Sequence, residues 1–382
     1  MASFGELFDH AAQYVGSGDM VKDMGRDLQN AANYVNNLVG GSGSPGQNQA
    51  DFESNLVKVT PFMSIMSIKP KDGWVQKTSP IHEIRTLAAL AHSDAYPPWI
   101  LRGSGTISEE AKTDLREYLR GAIWNDDPLS HLFHDNPGWN FDRKKGLAVS
   151  YGADYLGATQ AYNIVTDRSI RAAMPSLTQR AHEGDMQFLH CMAQEKGETV
   201  QETVRKVMCW CEAMYNIAIG QFDESRQLAS IKLPWFTQFT TPCGTDTVRT
   251  LFAGNTPSYP KIQARKRALG SIFHIIQDSY AAGHCRRNPP FKGPIEQCHT
   301  FTGQVHEKHS DLDHSFKNIE DISLGDLDSF VSWQGVRPGI DACIKLANLW
   351  GEGRQFDDGV RGLLRDEVFA IASHAKAADS SI

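Results

Sequence analysis

Two side chains four positions apart open the case for chemistry in this chain. In the run ALGSIFHIIQDSYAAGHC, His274 and Asp278 fall on one face if the segment is a helix. Leu269, Ile272, Phe273, Ile276 and Tyr280 form an apolar stripe roughly opposite, at about 100° per residue. Ala281 and Ala282 are small and leave room, Gly283 ends the helix, and His284 follows at once. Zinc takes imidazole nitrogen and carboxylate oxygen, and a rigid helix fixes their separation. A lone HxxxD also describes an ordinary polar helix face, so more is needed.

A second HxxxD supplies it. In QVHEKHSDLDH, His306, His309 and Asp313 fall in a narrow arc of one helix. The competing reading is a charged, solvated face. Three smaller clusters join these. His182 and Asp185 stand in Ala181-His-Glu-Gly-Asp185, expected in a loop just before a helix, with His190 shortly after. His190 also suits a packed core imidazole. His82 starts an amphipathic helix. Asp126 and Asp127 stand in Trp124-Asn-Asp-Asp-Pro128 at a helix end, where the dipole disfavours a carboxylate and a nearby cation would relieve it.

The elements that must hold these residues are helical. Residues 81–92 have helical apolar spacing. Thr106 to Glu109 fits a capping box and opens a helix that stops before Pro128. Further helices are expected at 198–222, 266–282 and 302–316, with one or two in 338–375. Residues 131–180 read as an irregular insertion with a helix near 155–165. Residues 232–262, rich in Pro, Thr and Gly, read as a long ordered loop. Alternating strand patterns are nearly absent. The expected fold is a mostly α, multi-helix bundle with long loops. Residues 1–73 form an N-terminal segment with a Gly/Ser-rich linker, and 74–382 a single catalytic domain.

Composition sets limits. The chain has 382 residues, a net charge of −7 and a pI near 6.1, which argues against duplex nucleic acid as the main partner. No apolar run is long enough for a transmembrane helix, and the first residues do not read as a secretory signal. Seven cysteines without a CxxC pair do not read as a disulfide framework or a thiolate zinc site, though a Cys285–Cys298 disulfide stays open. Fourteen histidines are the unusual count.

In chain order these clusters resemble the zinc-dependent phospholipase C family, whose structural relatives are the fungal zinc-dependent single-strand nucleases. The family pattern runs Trp, His, Asp, His, then HxxxDxxxxxH, then HxxxE or HxxxD. Here His274, Asp278 and His284 meet the HxxxDxxxxxH intervals, and His309 with Asp313 forms the last element. His82 matches the early histidine, and Asp126 the single aspartate, with Asp127 beside it. His182 matches the second histidine, with His190 the alternative. Trp74 stands eight residues before His82, although the family's tryptophan is the mature N-terminus and Trp74 is internal.

The resemblance implies two or three zinc ions. One would be held by Asp126, His182, His274 and Asp278. Asp278 would bridge to a second that also uses His82, and His284, His309 and Asp313 would hold the remaining one. Asp126 would orient the attacking water or take its proton, and Arg286 and Arg287 would contact phosphate. The implied activity is hydrolysis of a glycerophospholipid to diacylglycerol and a phosphorylated headgroup at a membrane surface. Two readings compete with it: a nuclease or nucleotidase on the same scaffold, and a helical interaction protein with incidental histidines and no metal. Export without a signal peptide is the expected route, with the cytoplasm as the alternative. The N-terminal segment would shield the site, and a homo-oligomer stays open.

Overall fold

The structure, a computed structural model, describes residues 81–95, 109–128, 177–182, 184–236, 246–253, 262–301, 304, 327–330 and 335–379. The segment 1–73, Trp74, most of the expected insertion, and His306, His309 and Asp313 lie outside the described residues.

The chain is mostly helical and is organised around one helix. In chain order, the α-helices are α1 (Ile81–His92), α2 (Glu109–Trp124), α3 (Leu177–His182), α4 (Val200–Ala218), α5 (Val248–Ala253), α6 (Ala264–Ser279) and α7 (Val336–Gly351). A 3-10 turn, Gln187–His190, precedes α4, and two wide helical turns, Phe356–Val360 and Leu363–Val368, follow α7. Every residue of α6 from Arg267 to Ser279 is buried. Helix α2 covers α6 most extensively, and α4, α7 and α1 also pack on it. A helix enclosed on all sides has no solvent face. The polar face that carries His274 and Asp278 is therefore turned inward, toward α1, α2 and the 3-10 turn.

Two glycines let α2 and α6 approach closely. A Cβ added at Gly270 would lie 2.3 Å from the Tyr118 carbonyl oxygen, and one at Gly121 would lie 2.1 Å from that of Arg267. The crossing is locked by the buried Arg267–Glu117 pair. Arg267 Nε and Nη2 donate to the two Glu117 oxygens at 2.8 and 3.0 Å. Helix α4 is capped by Thr199, whose hydroxyl accepts the Glu202 N–H at 3.2 Å. It brings Trp210 into a stack with Trp124.

Two features differ from expectation. Helix α5 lies inside the segment read as a loop; its six residues are too few to show a period beside the surrounding Pro, Thr and Gly. A two-stranded antiparallel hairpin, β1 (Cys285–Arg287) with β2 (Ile295–Cys298), follows α6. Strands of three and four residues are too short to show an alternating pattern. On the other side of β2, the Ala372 N–H donates to the Ile295 carbonyl and the Lys376 N–H to that of Glu296; the Ala378 N–H goes to Glu198. The Cys285 and Cys298 thiols are free, with their sulfurs 3.9 Å apart, so the disulfide left open by the sequence is not formed. Among the described residues no helix is long and apolar enough to cross a membrane.

Candidate metal centre

Five elements converge on one end of α6. Helix α1 brings His82 and the end of α2 brings Asp126. The 3-10 turn brings His190, α6 brings His274 and Asp278, and His284 follows α6. All six residues are buried. Asp278 is the meeting point. Its Oδ2 lies 2.9 Å from His274 Nε2 and 3.0 Å from His190 Nδ1, while its Oδ1 lies 3.5 Å from His82 Nε2. His284 Nδ1 is 3.7 Å from Oδ2. Asp126 Oδ1 lies 3.5 Å from His274 Nε2 and 3.7 Å from His190 Nδ1.

The imidazoles are held from behind. His274 Nδ1 lies 2.6 Å from the Ala122 carbonyl oxygen, and His284 Nδ1 lies 2.7 Å from that of His190. His82 Nδ1 sits 2.8 Å from Gln277 Oε1, and Gln277 Nε2 donates to Thr86 Oγ1 at 3.1 Å. An Nδ1–H given to an oxygen fixes the ring and leaves Nε2 as a lone-pair donor, which is how metal-binding histidines are oriented. Asp126 is placed by its neighbour. Asn125 donates to the Leu189 carbonyl at 2.7 Å and accepts the Ser271 hydroxyl at 2.7 Å, pinning the end of α2 to the 3-10 turn and to α6.

Two overlapping groups result, His82–His274–Asp278 and Asp126–His190–His274, each with its ligand atoms within 4.8 Å of one another. These groups could hold a metal ion. His274 Nε2 can serve only one ion, whereas the two oxygens of Asp278 face the two groups separately. The donor set of imidazole nitrogen and carboxylate oxygen suits a borderline divalent cation. Asp278 Oδ1 is buried without a hydrogen bond, an atom that a bound cation would satisfy.

The electrostatics follow from two carboxylates buried among imidazoles. Burial opposes ionisation of Asp278, but His274, His284 and His82 outweigh it and hold the carboxyl well below the usual range. Burial pushes Asp126 up to about 7; His274 pulls the other way, while Asp278 and Asp127 add to the rise. Burial also works against a proton on His274, yet Asp278 and Asp126 lift its pKa above the usual imidazole value. Burial drives His190 well below that value, despite its contact with Asp278.

Other residues singled out by the sequence have different surroundings. His182 is the last residue of α3 rather than a loop residue. Its Nδ1 is 2.8 Å from the Thr178 carbonyl oxygen, and its ring centre is 5.0 Å from that of His190. It is buried beside His190, and it is His190, the alternative, that contacts Asp278. Asp185 turns away and pairs with Arg180 through two contacts of 2.8 Å, so it is structural. Arg287 is not a free phosphate arm. Its guanidinium is buried and donates to the carbonyls of Ser279, Gly293 and Val368. Arg286 points to the opposite, exposed face of β1, 3.3 Å from Glu296. The sequence marks Gln277 and Asn125 only as an amide directly beside a candidate ligand.

Compared with protein-family models, curated proteins and solved structures, the chain matches none. Its class is defined by its own geometry: a mostly helical protein with a buried histidine–aspartate centre.

Proposed function

We propose that this chain is a zinc-dependent phosphodiesterase of the phospholipase C type. The observation that carries the reading is Asp278, an ionised carboxylate whose two oxygens face two histidine groups, with rings held at Nδ1 by His82–Gln277 and His274–Ala122 contacts. His82, Asp126, His190, His274, Asp278 and His284 would hold the metal. When bound, zinc polarises a phosphodiester and lowers the pKa of bound water toward neutrality.

The protein's own part is to position and to move a proton. Asp278, held ionised, keeps a fixed negative charge between the two groups. Asp126, lifted to about 7, can accept a proton near neutral pH and release it again. Asn125 keeps that carboxyl from swinging by tying the end of α2 to two other elements. The net charge of −7 and a sequence without a basic, aromatic-rich groove signature favour lipid over single-stranded nucleic acid as the substrate class.

The test is metal content and hydrolysis of phosphatidylcholine vesicles in the same purified samples, before and after chelation. Zinc bound to the chain, with activity lost on chelation and restored by zinc, is the expected result. Cleavage of single-stranded DNA but not lipid would overturn the phospholipase reading while leaving the metal centre. Absence of bound zinc after incubation with it would overturn both.

A further inference from the structure

Behind the histidine–aspartate centre lies a second set of ligand-type side chains. Cys191 directly follows His190, Cys285 directly follows His284, and Cys298 faces Cys285 across the hairpin. The Cys285 sulfur lies 3.7 Å from that of Cys191 and 3.9 Å from that of Cys298. All three sulfurs are within 4.8 Å of one another. The three residues are 0%, 3% and 1% exposed, and their thiols are free.

Local structure sets up this meeting. Cys191 closes the 3-10 turn at φ 53°, a left-handed conformation that few side chains other than Gly and Asn adopt readily. The His299 N–H donates to the His284 carbonyl at 2.8 Å, so Cys285 and Cys298 form the adjacent non-hydrogen-bonded pair, where side chains on neighbouring strands come closest. The Ala193 N–H donates to the His299 carbonyl at 2.9 Å and ties the segment after Cys191 to the hairpin. Three separate stretches of chain thus bring one sulfur each to a common point.

We propose that Cys191, Cys285 and Cys298 form a three-thiolate site for copper(I), separate from the histidine–aspartate centre. A donor set of sulfur alone selects soft, thiophilic ions. Metal–sulfur bonds of about 2.3 Å place neighbouring sulfurs about 3.8–4.0 Å apart, which matches the spacing around Cys285. Structural zinc takes four ligands. Among the described residues no fourth ligand-type side chain joins this group. Copper(I) is satisfied by three thiolates. On binding, three S–H bonds are exchanged for three S–Cu bonds and three protons pass to solvent, with no change in oxidation state. Arg287 lies two residues along the same face of β1 as Cys285, and its buried guanidinium offsets part of the negative charge.

The site is tested on the reduced full-length protein without oxygen, titrated with copper(I) held in a chelator buffer. Binding is read by thiolate-to-copper absorption and by X-ray absorption at the copper edge. One copper(I) per chain with a first shell of sulfur only is expected. Cys191→Ser and Cys298→Ser should each weaken binding at least as much as the about 10–100-fold that loss of an outer-shell partner costs a metal site. Cys343→Ser, which removes a buried thiol on α7, should leave it unchanged. A shell containing nitrogen, affinity that survives both substitutions, or no binding in competition with the chelator would overturn the proposal. The shell of the unsubstituted protein decides the matter even where a variant fails to fold.

Discussion

His274 rests on the carbonyl oxygen of Ala122, with Nδ1 2.6 Å from it, so the central imidazole of the histidine–aspartate cluster is oriented by the backbone of another helix. That contact exists because α2 and α6 touch backbone to backbone at Gly121 and Gly270. Gly270 lies one turn before His274 on α6, and Gly121 is next to Ala122.

Gly270→Ala should therefore destabilise the protein. Helix propensity alone favours alanine by about 1 kcal/mol. A Cβ 2.3 Å from the Tyr118 carbonyl oxygen and 2.6 Å from the Ala122 nitrogen reverses the sign, because the helices must move apart. Overpacking of this kind costs about 1–3 kcal/mol. Calorimetry should show a lower Tm, and a zinc titration should show weaker binding. An unchanged Tm would mean that the crossing is looser than described.

Asp278→Asn keeps the shape of the side chain but removes its charge. The variant should remain helical by circular dichroism, lose bound zinc and lose phosphodiesterase activity. Full activity at unchanged metal content would remove Asp278 from the centre.

Gln277→Leu tests the layer behind the ligands. It deletes the oxygen 2.8 Å from His82 Nδ1 without touching a ligand atom. Loss of an outer-shell partner typically costs about 10–100-fold in metal affinity or activity. Competition with a chromophoric chelator would read that loss directly, and restoration by Gln277→Glu would tie it to the oxygen rather than to packing.

Zinc affinity should fall as pH falls through about 7. Asp126 is pushed up to about 7 and must lose its proton to act as a ligand. Below that value this carboxyl makes affinity drop about tenfold per pH unit, and His274, lifted above the usual imidazole value, adds to the drop in the same direction. Asp278, held well below the usual range, stays ionised through this window and adds no slope. Dissociation constants near pH 6 and near pH 8, differing by about tenfold or more, are the expected result. Equal constants would place the Asp126 pKa near its ordinary value.

Arg267→Met leaves Glu117 as a buried carboxylate without its ion pair. Breaking a buried pair from one side costs about 3–5 kcal/mol. Denaturant unfolding should show a stability loss of that order, well beyond what a surface arginine would give.

Much of this architecture is legible in the sequence, and the failures have physical causes. The apolar spacing that starts abruptly after Pro80 predicts helix α1 at Ile81–His92, the bounds observed. The His274–Asp278 face was legible as a face, but not as a buried one. A polar stripe opposite an apolar stripe looks solvent-exposed unless one knows that four other helices enclose it. The choice between His182 and His190 turns on a four-residue 3-10 turn, whose spacing has no signature as clear as the α-helical one. The hairpin leaves little trace for a related reason. The sequence offers Cys285 and Cys298 as a pair, but Cys191 meets them only through tertiary contacts, so no interval to it carries information.

The segment 371–379 has a consequence beyond its hydrogen bonds. It lies along the outer side of β2 and continues to Glu198 and Thr300, occupying a row of backbone groups that would otherwise face solvent. A bare strand edge is a template on which a second chain can add. Peeling this tail away would cost stability and also uncover a seeding surface. Clipping or mutating its last contacts should therefore show up first as turbidity on storage, before any loss of helix is seen.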